Sequence, residues 1–439
     1  MLCTTRSGLL SAGIEALSSE SEIHFDSLTR SHPAHACRSA LFDSRVPHRA
    51  DLKTVGVLRG HESRVFKATF SPIDDTLLAT CSEDATCRIW DVAKCKQLFC
   101  LKGHEEAIYS VKFSPDGKHI LSAGSDGKIV IWDLGCLTVG APASLAMCAA
   151  VQTITVGGDA FAAQFLDGKT IASAIDDRVV LWDIETGKPR ASKTLVAATD
   201  YVFGGLQRNP DATPWVFCMH HHQASGVMAL GVSDASIRLL DSNLNEQVVM
   251  RGHARDVTCL NFREDGAELL SGSGDHMAGI WDLSTLQIRQ VLKGHEAPVH
   301  DVCYWPSSSC EEVCTVSMDR TLKVWQADTG ECSATVGPDV TAKLCLAPNK
   351  TLAGVAVAGG ENKTHTGNDF RVSLLAKDSA GFERLQAAPT VREYLGQGSA
   401  GWGGDTVPGL GGLGGAGGEV DGYGGMPKSK GARGKRAQE

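Results

Sequence analysis

Four histidines in this chain of 439 residues each precede, by nearly equal stretches, a hydroxyl residue, an acid and a tryptophan. The sets are His61, Thr80, Asp84 and Trp90; His104, Ser122, Asp126 and Trp132; His253, Ser271, Asp275 and Trp281; and His295, Thr315, Asp319 and Trp325. In each set the Asp stands six residues before the Trp, and the hydroxyl residue four before the Asp. Imidazole and carboxylate together are the parts of acid–base chemistry. They are equally the parts of a buried relay, in which a hydroxyl and an indole N–H complete the hydrogen bonding that burial would otherwise penalise. Residue types and spacing alone leave both readings open.

Other chemistry finds little support. The chain has no GxSxG, P-loop or HExxH, and GxGxxG-like glycines occur only near its C-terminal end. The triple histidine 220–222 resembles a metal cluster, but strand alternation sends His221 to the face opposite its neighbours, and no carboxylate or Cys sits at ligand spacing. Polar filling at a strand end is the expected role. The 15 cysteines include no CxxC pair, and most lie in apolar runs such as VTCLNF and VHDVCYW, as small buried hydrophobes do. No catalytic residue, metal or cofactor is expected.

The elements that position the four sets form a repeat. Each set opens on Gly-His and leads, after a hairpin's length of alternating residues, to a tryptophan strand: RIWD, VIWD, GIWD and KVWQ. A fifth copy, VLWD around Trp182, lacks the Gly-His. Its Ser173 to Asp176 spacing is one residue short. A sixth, SIRLLD, keeps Asp234 but has Leu230 and Leu240 in the hydroxyl and indole slots, and FRVSLLAKD around Leu375 supplies a seventh. Each unit reads as four short strands separated by turns such as Pro-Asp-Gly at 115–117.

This pattern, Gly-His to Trp-Asp at about 40–45 residues, resembles the WD-repeat β-propeller family over residues 52–376. The resemblance implies an all-β fold, a single propeller of seven four-stranded blades, with six or eight as alternatives. It also implies that the four sets are the family's structural tetrads. The strand 53–58 has no repeat of its own, and pairing it as the outer strand of the last blade would close the ring; FERLQ, 382–386, competes for that place.

Two connections exceed what a blade needs, 136–158 and 190–214, and both are assigned to outer-to-inner links on the rim that carries the Asp turns. By resemblance that rim is the family's usual partner-binding face. Candidate contacts are Arg64, Phe66, Glu83, Tyr109, Ser125, Asp256, Thr258, His300 and Met318, with Tyr201 and Phe203 on the longer connection. Phe66 and Tyr109 have packing near the central channel as their alternative role, and the insertions have free drift as theirs.

Composition bounds the rest. Hydrophobic residues at 42% and charged residues at 21% are ordinary for a globular core, and the net charge of −9 argues against a polyanion binder. No apolar run approaches membrane-spanning length. The first residues lack a secretory pattern, so a reducing compartment, cytoplasmic or nuclear, is expected. Residues 1–50 read as a poorly ordered extension, 51–376 as the propeller, 377–395 as a connection, and 396–439 as a Gly-rich linker with a basic tail. That tail, with Lys428, Lys430, Arg433, Lys435 and Arg436, is the one route to nucleic acid, as an import signal or a weak RNA contact. The leading function is a non-catalytic scaffold that holds proteins or peptides, itself a monomer within a larger complex. An RNA-processing or ribosome-assembly factor is the second reading. A substrate receptor of a cullin ubiquitin ligase is the third; such receptors often carry Trp-Asp-x-Arg, where this chain has Ala93, Gly135, Glu185 and Ser284.

Overall fold

A computed structural model describes residues 52–134, 150–196, 202–203, 206–207, 214–307, 311–337, 343–360 and 370–387. The second and third strands of each blade are buried on both faces while outer strands such as Pro189–Thr194 stay largely exposed, and four-stranded antiparallel sheets stack side by side around a ring. Seven such sheets form. The first blade runs from its inner strand Val65–Phe70 through Leu77–Ser82 and Thr86–Asp91 to the outer strand Lys96–Lys102. The inner strands of the next five are Ile108–Phe113, Ala160–Phe165, Val216–His222, Val257–Phe262 and Val299–Tyr304. The core is distributed: seven apolar clusters each fill one interface between successive blades, such as Ile89 and Phe99 of blade one against Ile108 and Val111 of blade two.

The seventh blade is built from both ends of the propeller. Lys343–Asn349, Gly354–Gly359 and Val372–Ala376 pair in order, and Lys53–Leu58 adds the outer strand, with Leu58 opposite Val372. FERLQ therefore does not compete for the edge. It lies in a helix, Ala380–Ala387, whose Phe382 and Leu385 stand one turn apart and pack on the cluster that holds Leu58 and Leu374. Asn349 Nδ2 donates to the Asp75 carbonyl at 2.8 Å, a further tie between blades seven and one.

One expectation needs correction. The first long connection does not join an outer strand to an inner one. Ala150–Thr155 is itself the outer strand of blade two, paired with Lys128–Asp133, so the extra residues fall between third and fourth strands, on the rim opposite the Asp turns. The second long connection does join blade three's outer strand, Pro189–Thr194, to Val216. It carries a small hairpin, Val202–Phe203 against Leu206–Gln207. Residues 1–51 and 388–439, with the basic tail, lie outside the described residues.

Candidate partner-binding rim

The tetrads set the rim's geometry. His61 lies with Nδ1 2.8 Å from Asp84 and Nε2 2.7 Å from the Thr80 hydroxyl, which also accepts from the Trp90 indole at 2.8 Å. Since the indole only donates, the hydroxyl proton is free to point at His61 Nε2, and Nδ1–H then donates to the carboxylate. His104 makes the same contacts to Asp126 at 3.0 Å and Ser122 at 2.8 Å. His253 meets Asp275 at 2.9 Å and Ser271 at 2.7 Å, and His295 meets Asp319 at 2.6 Å and Thr315 at 2.7 Å. Trp132, Trp281 and Trp325 donate to those hydroxyls at 2.9, 2.7 and 2.8 Å.

Each Asp also caps its own turn, accepting the backbone N–H two residues on, as Asp84 does from Thr86 at 2.9 Å. Burial works against a charged Asp84, but the hydrogen bond and charge of His61 with these further donors outweigh it and hold the carboxyl below its usual range. The turn then requires a left-handed residue: Ala85 at φ 60°, His276 at 70° and Arg320 at 69°, where blade two uses Gly127. Blade three shortens this turn by one residue. Its indole still reaches the hydroxyl, Trp182 Nε1 to Ser173 Oγ at 2.8 Å, without a histidine.

Above this frame, every inner strand begins with the same irregularity. The register slips at Val65/Lys67, Ile108/Ser110, Ala160/Ala162, Val216/Cys218, Val257/Cys259, Val299/Asp301 and Lys343/Cys345. A bulge residue is released from the ladder and its side chain is re-aimed. The seven released residues are Phe66, Tyr109, Phe161, Phe217, Thr258, His300 and Leu344, and they circle the channel mouth on the rim of the Asp turns. Four of the predicted contacts, Phe66, Tyr109, Thr258 and His300, belong to this layer. Phe161 and Phe217 were missed because repeats three and four lack the Gly-His from which the positions were counted. Counting 17 residues back from Asp234, as from Asp126 to Tyr109, finds Phe217.

The remaining predicted residues sort by position. Glu83 N–H donates to the Arg64 carbonyl at 2.9 Å, and the Glu83 carboxylate accepts from Ser63 at 2.6 Å. The equivalent backbone bond joins Ser125 to Ala107 at 2.9 Å, Gly274 to Asp256 at 2.9 Å and Met318 to Pro298 at 3.1 Å. These residues therefore share one ring outside the bulge layer. The Thr258 hydroxyl is committed to the Gly272 and Val299 carbonyls. Tyr201 lies outside the described residues, and Phe203 is placed only by its backbone.

Below the bulge layer the channel is polar. Lys67 of blade one meets Asp301 of blade six at 3.0 Å, and Asp301 also accepts from Leu346 N–H of blade seven at 2.9 Å. Burial alone would lower the Lys67 pKa; the facing carboxylate overrides it and raises it. His220 lies tilted against the Phe262 ring at 5.7 Å and accepts the Phe262 backbone N–H at 3.3 Å, while His222 is held by Ser225 and the Glu264 carbonyl. Among the described residues no cluster of His, Cys, Asp and Glu is arranged to hold a metal ion, and the ten cysteines there are free thiols, seven of them buried. No helix among them is long and apolar enough to cross a membrane.

A ring of seven four-stranded blades, four of them carrying a complete His-hydroxyl-Asp-Trp tetrad, defines a β-propeller that contains WD repeats. The family model for "WD domain, G-beta repeat" matches residues 52–91, 95–133, 245–282 and 286–326, the four units with complete tetrads. The chain is 29% identical over 119 residues to WD repeat-containing protein 18 of Danio rerio, covering 25% of this chain and 28% of that protein. It is 25% identical over 309 residues to human Denticleless protein homolog, covering 62% and 41%. It is also 25% identical over 287 residues to the guanine nucleotide-binding protein subunit beta of Saccharomyces cerevisiae, covering 63% and 60%. The chain thus spans between about a quarter and three fifths of the length of these relatives.

Proposed function

We propose that this protein is a non-catalytic scaffold that holds partner proteins or peptides on the rim of the Asp turns. The observation that carries this reading is the bulge layer. The tetrad positions repeat because the fold needs them, whereas the seven released residues do not repeat: aromatic on blades one to four, then Thr258, His300 and Leu344. A surface whose position is dictated by the fold and whose chemistry is not suits recognition. The second long connection joins blade three to blade four on the same rim, and Tyr201 and Phe203 within it remain candidate contacts. A cytoplasmic or nuclear setting, with which the free thiols accord, and a monomer within a larger complex belong to the same proposal.

Quantitative affinity capture with the full chain tests it. A Tyr201→Ala, Phe203→Ala variant and a Tyr109→Ser variant are expected to lose the same partners while melting within a few degrees of wild type. An unchanged partner set in both would overturn the rim reading.

A further inference from the structure

Inside the channel, donors outnumber acceptors. Three residues below the bulge residue, the inner strands of blades two to five carry Lys112, Gln164, His220 and Asn261. These share one register step, opposite Leu121, Ala172, Ala229 and Leu270. Each side chain bears an N–H donor. The same step holds Thr69 on blade one, Cys303 on blade six and Ala347 on blade seven, so no carboxylate stands at this level.

The groups at this level are poorly matched by the protein itself. Gln164 is only 7% exposed, and its Nε2 meets no acceptor among the described residues. His220 accepts the Phe262 N–H at Nδ1, so its own proton sits on Nε2, where no described residue takes it. Two residues nearer the mouth, Lys67 has Asp301 at 3.0 Å. Lys112 forms no ion pair of its own among the described residues. Burial and then the like charge of Lys67 lower its pKa, and Asp301 offsets only part of this. Lys67, Lys112 and Asp301 are the ionised groups of the two levels, two positive charges against one negative.

One negative charge carrying several acceptor atoms would answer all these groups together, and that is the chemistry of an oxyanion. An apolar ligand would leave the donors unmet, and a cation would add to the charge of Lys112. Three residues of strand set the level about 10 Å below the bulge layer, beyond the reach of an acidic side chain on a rim-bound partner. We infer that the channel binds a small free oxyanion of phosphate size, with Lys112 as its charged ligand and Gln164, His220 and Asn261 as neutral donors. The anion would join blades two to five from within, including blades three and four, whose tetrads are incomplete.

The probe is inorganic phosphate, offered to the full chain in equilibrium dialysis at an ionic strength held constant with chloride. A single saturable site is expected, and sulfate should compete for it. Lys112→Met should weaken binding about tenfold or more. In phosphate-free buffer the same variant should melt higher than wild type, because a buried like charge is gone, and added phosphate should raise its melting temperature less than that of wild type. Gln164→Leu keeps the charge and should weaken binding about threefold. It also serves as the second variant if Lys112→Met does not fold. Phosphate acts on protein surfaces generally, so the comparison with the variants decides. Equal phosphate affinity in wild type and both variants would show an adventitious ion only. No saturable binding to wild type would show that the donors face water only. Binding of a phosphate monoester without binding of inorganic phosphate would point to a larger ligand. Each of these three results would overturn the inference.

Discussion

Arg238 donates from Nη2 to the Asp234 carboxylate at 2.8 Å, with both side chains about 5% exposed. Blade four has leucines where a tetrad would place its hydroxyl and indole and lacks the Gly-His, so no histidine donates to its turn Asp. The guanidinium takes that place. It also donates to the Val196 carbonyl at 2.9 Å, anchoring the start of the long connection that leads toward Val216. The degenerate repeat thus exchanges a histidine relay for an ion pair that fastens an insertion.

That exchange sets the first prediction. Arg238→Met leaves Asp234 buried without a counter-ion and should cost about 3–5 kcal/mol. Arg238→Met combined with Asp234→Asn should recover much of the loss, since no charge is then stranded. Urea unfolding of the two single variants and the double variant measures the coupling; additive losses would show that the pair does not act as a unit.

Asp126→Ala should leave His104 Nδ1–H and two backbone donors without an acceptor, at a cost of about 1–3 kcal/mol. Thermal melts read this directly. An unchanged melting temperature with lost partner binding would reassign Asp126 to recognition.

Stability should fall with acid below about pH 6.5. Burial, followed by the nearby Lys67 charge, lowers the His300 pKa to about 4, and burial with Lys112 lowers that of His220 to about 3. Both protonate near 6.5 in an unfolded chain. The unfolded state therefore binds more protons below that pH, so stability is full above it and declines as the pH falls toward 4. Each histidine contributes a slope of about 1 kcal/mol per pH unit in this window. Melting temperatures from pH 7.5 to 4.5 should show the decline, and His300→Gln should flatten it; identical slopes would remove His300 as its source.

Ring closure is open to truncation. Removing residues 1–50 should leave the propeller monomeric and its melting unchanged. Removing 1–60 strips the strand opposite Val372–Ala376 and exposes a sheet edge, which should bring oligomers or aggregates in size-exclusion chromatography. Equal behaviour of the two would contradict the role of Lys53–Leu58 as a clasp.

The sequence shows most of this architecture because a hairpin of fixed length sets the spacing from hydroxyl to Asp to Trp, and four units keep all the groups. It shows less where tertiary packing decides. FERLQ is too short for its period to separate strand from helix, and only the contacts of Phe382 and Leu385 with the blade-seven cluster settle it. The first long connection was set on the wrong rim because AVQTIT, without a turn motif to number it, did not read as an outer strand. The pairing of Arg238 with Asp234 is visible as an i, i+4 relation only once the strand and its turn are known to fold back on one face. Phe161 and Phe217 fell outside a count that began from Gly-His.

The clasp has a consequence for how the chain is made. Leu58 leaves the ribosome early, and its partner Val372 follows 314 residues later. At roughly 5–20 residues per second that is a wait of about 15–60 seconds. Throughout it, blades one to six can form in order, each on the one before, while the first strand hangs without a mate and blade one shows an uncovered flank. Synthesis therefore produces an open arc whose two ends are both adhesive, and only the last blade converts it to a ring. The interval is a time when a chaperone has an edge to hold, and when two nascent arcs on one message could exchange strands.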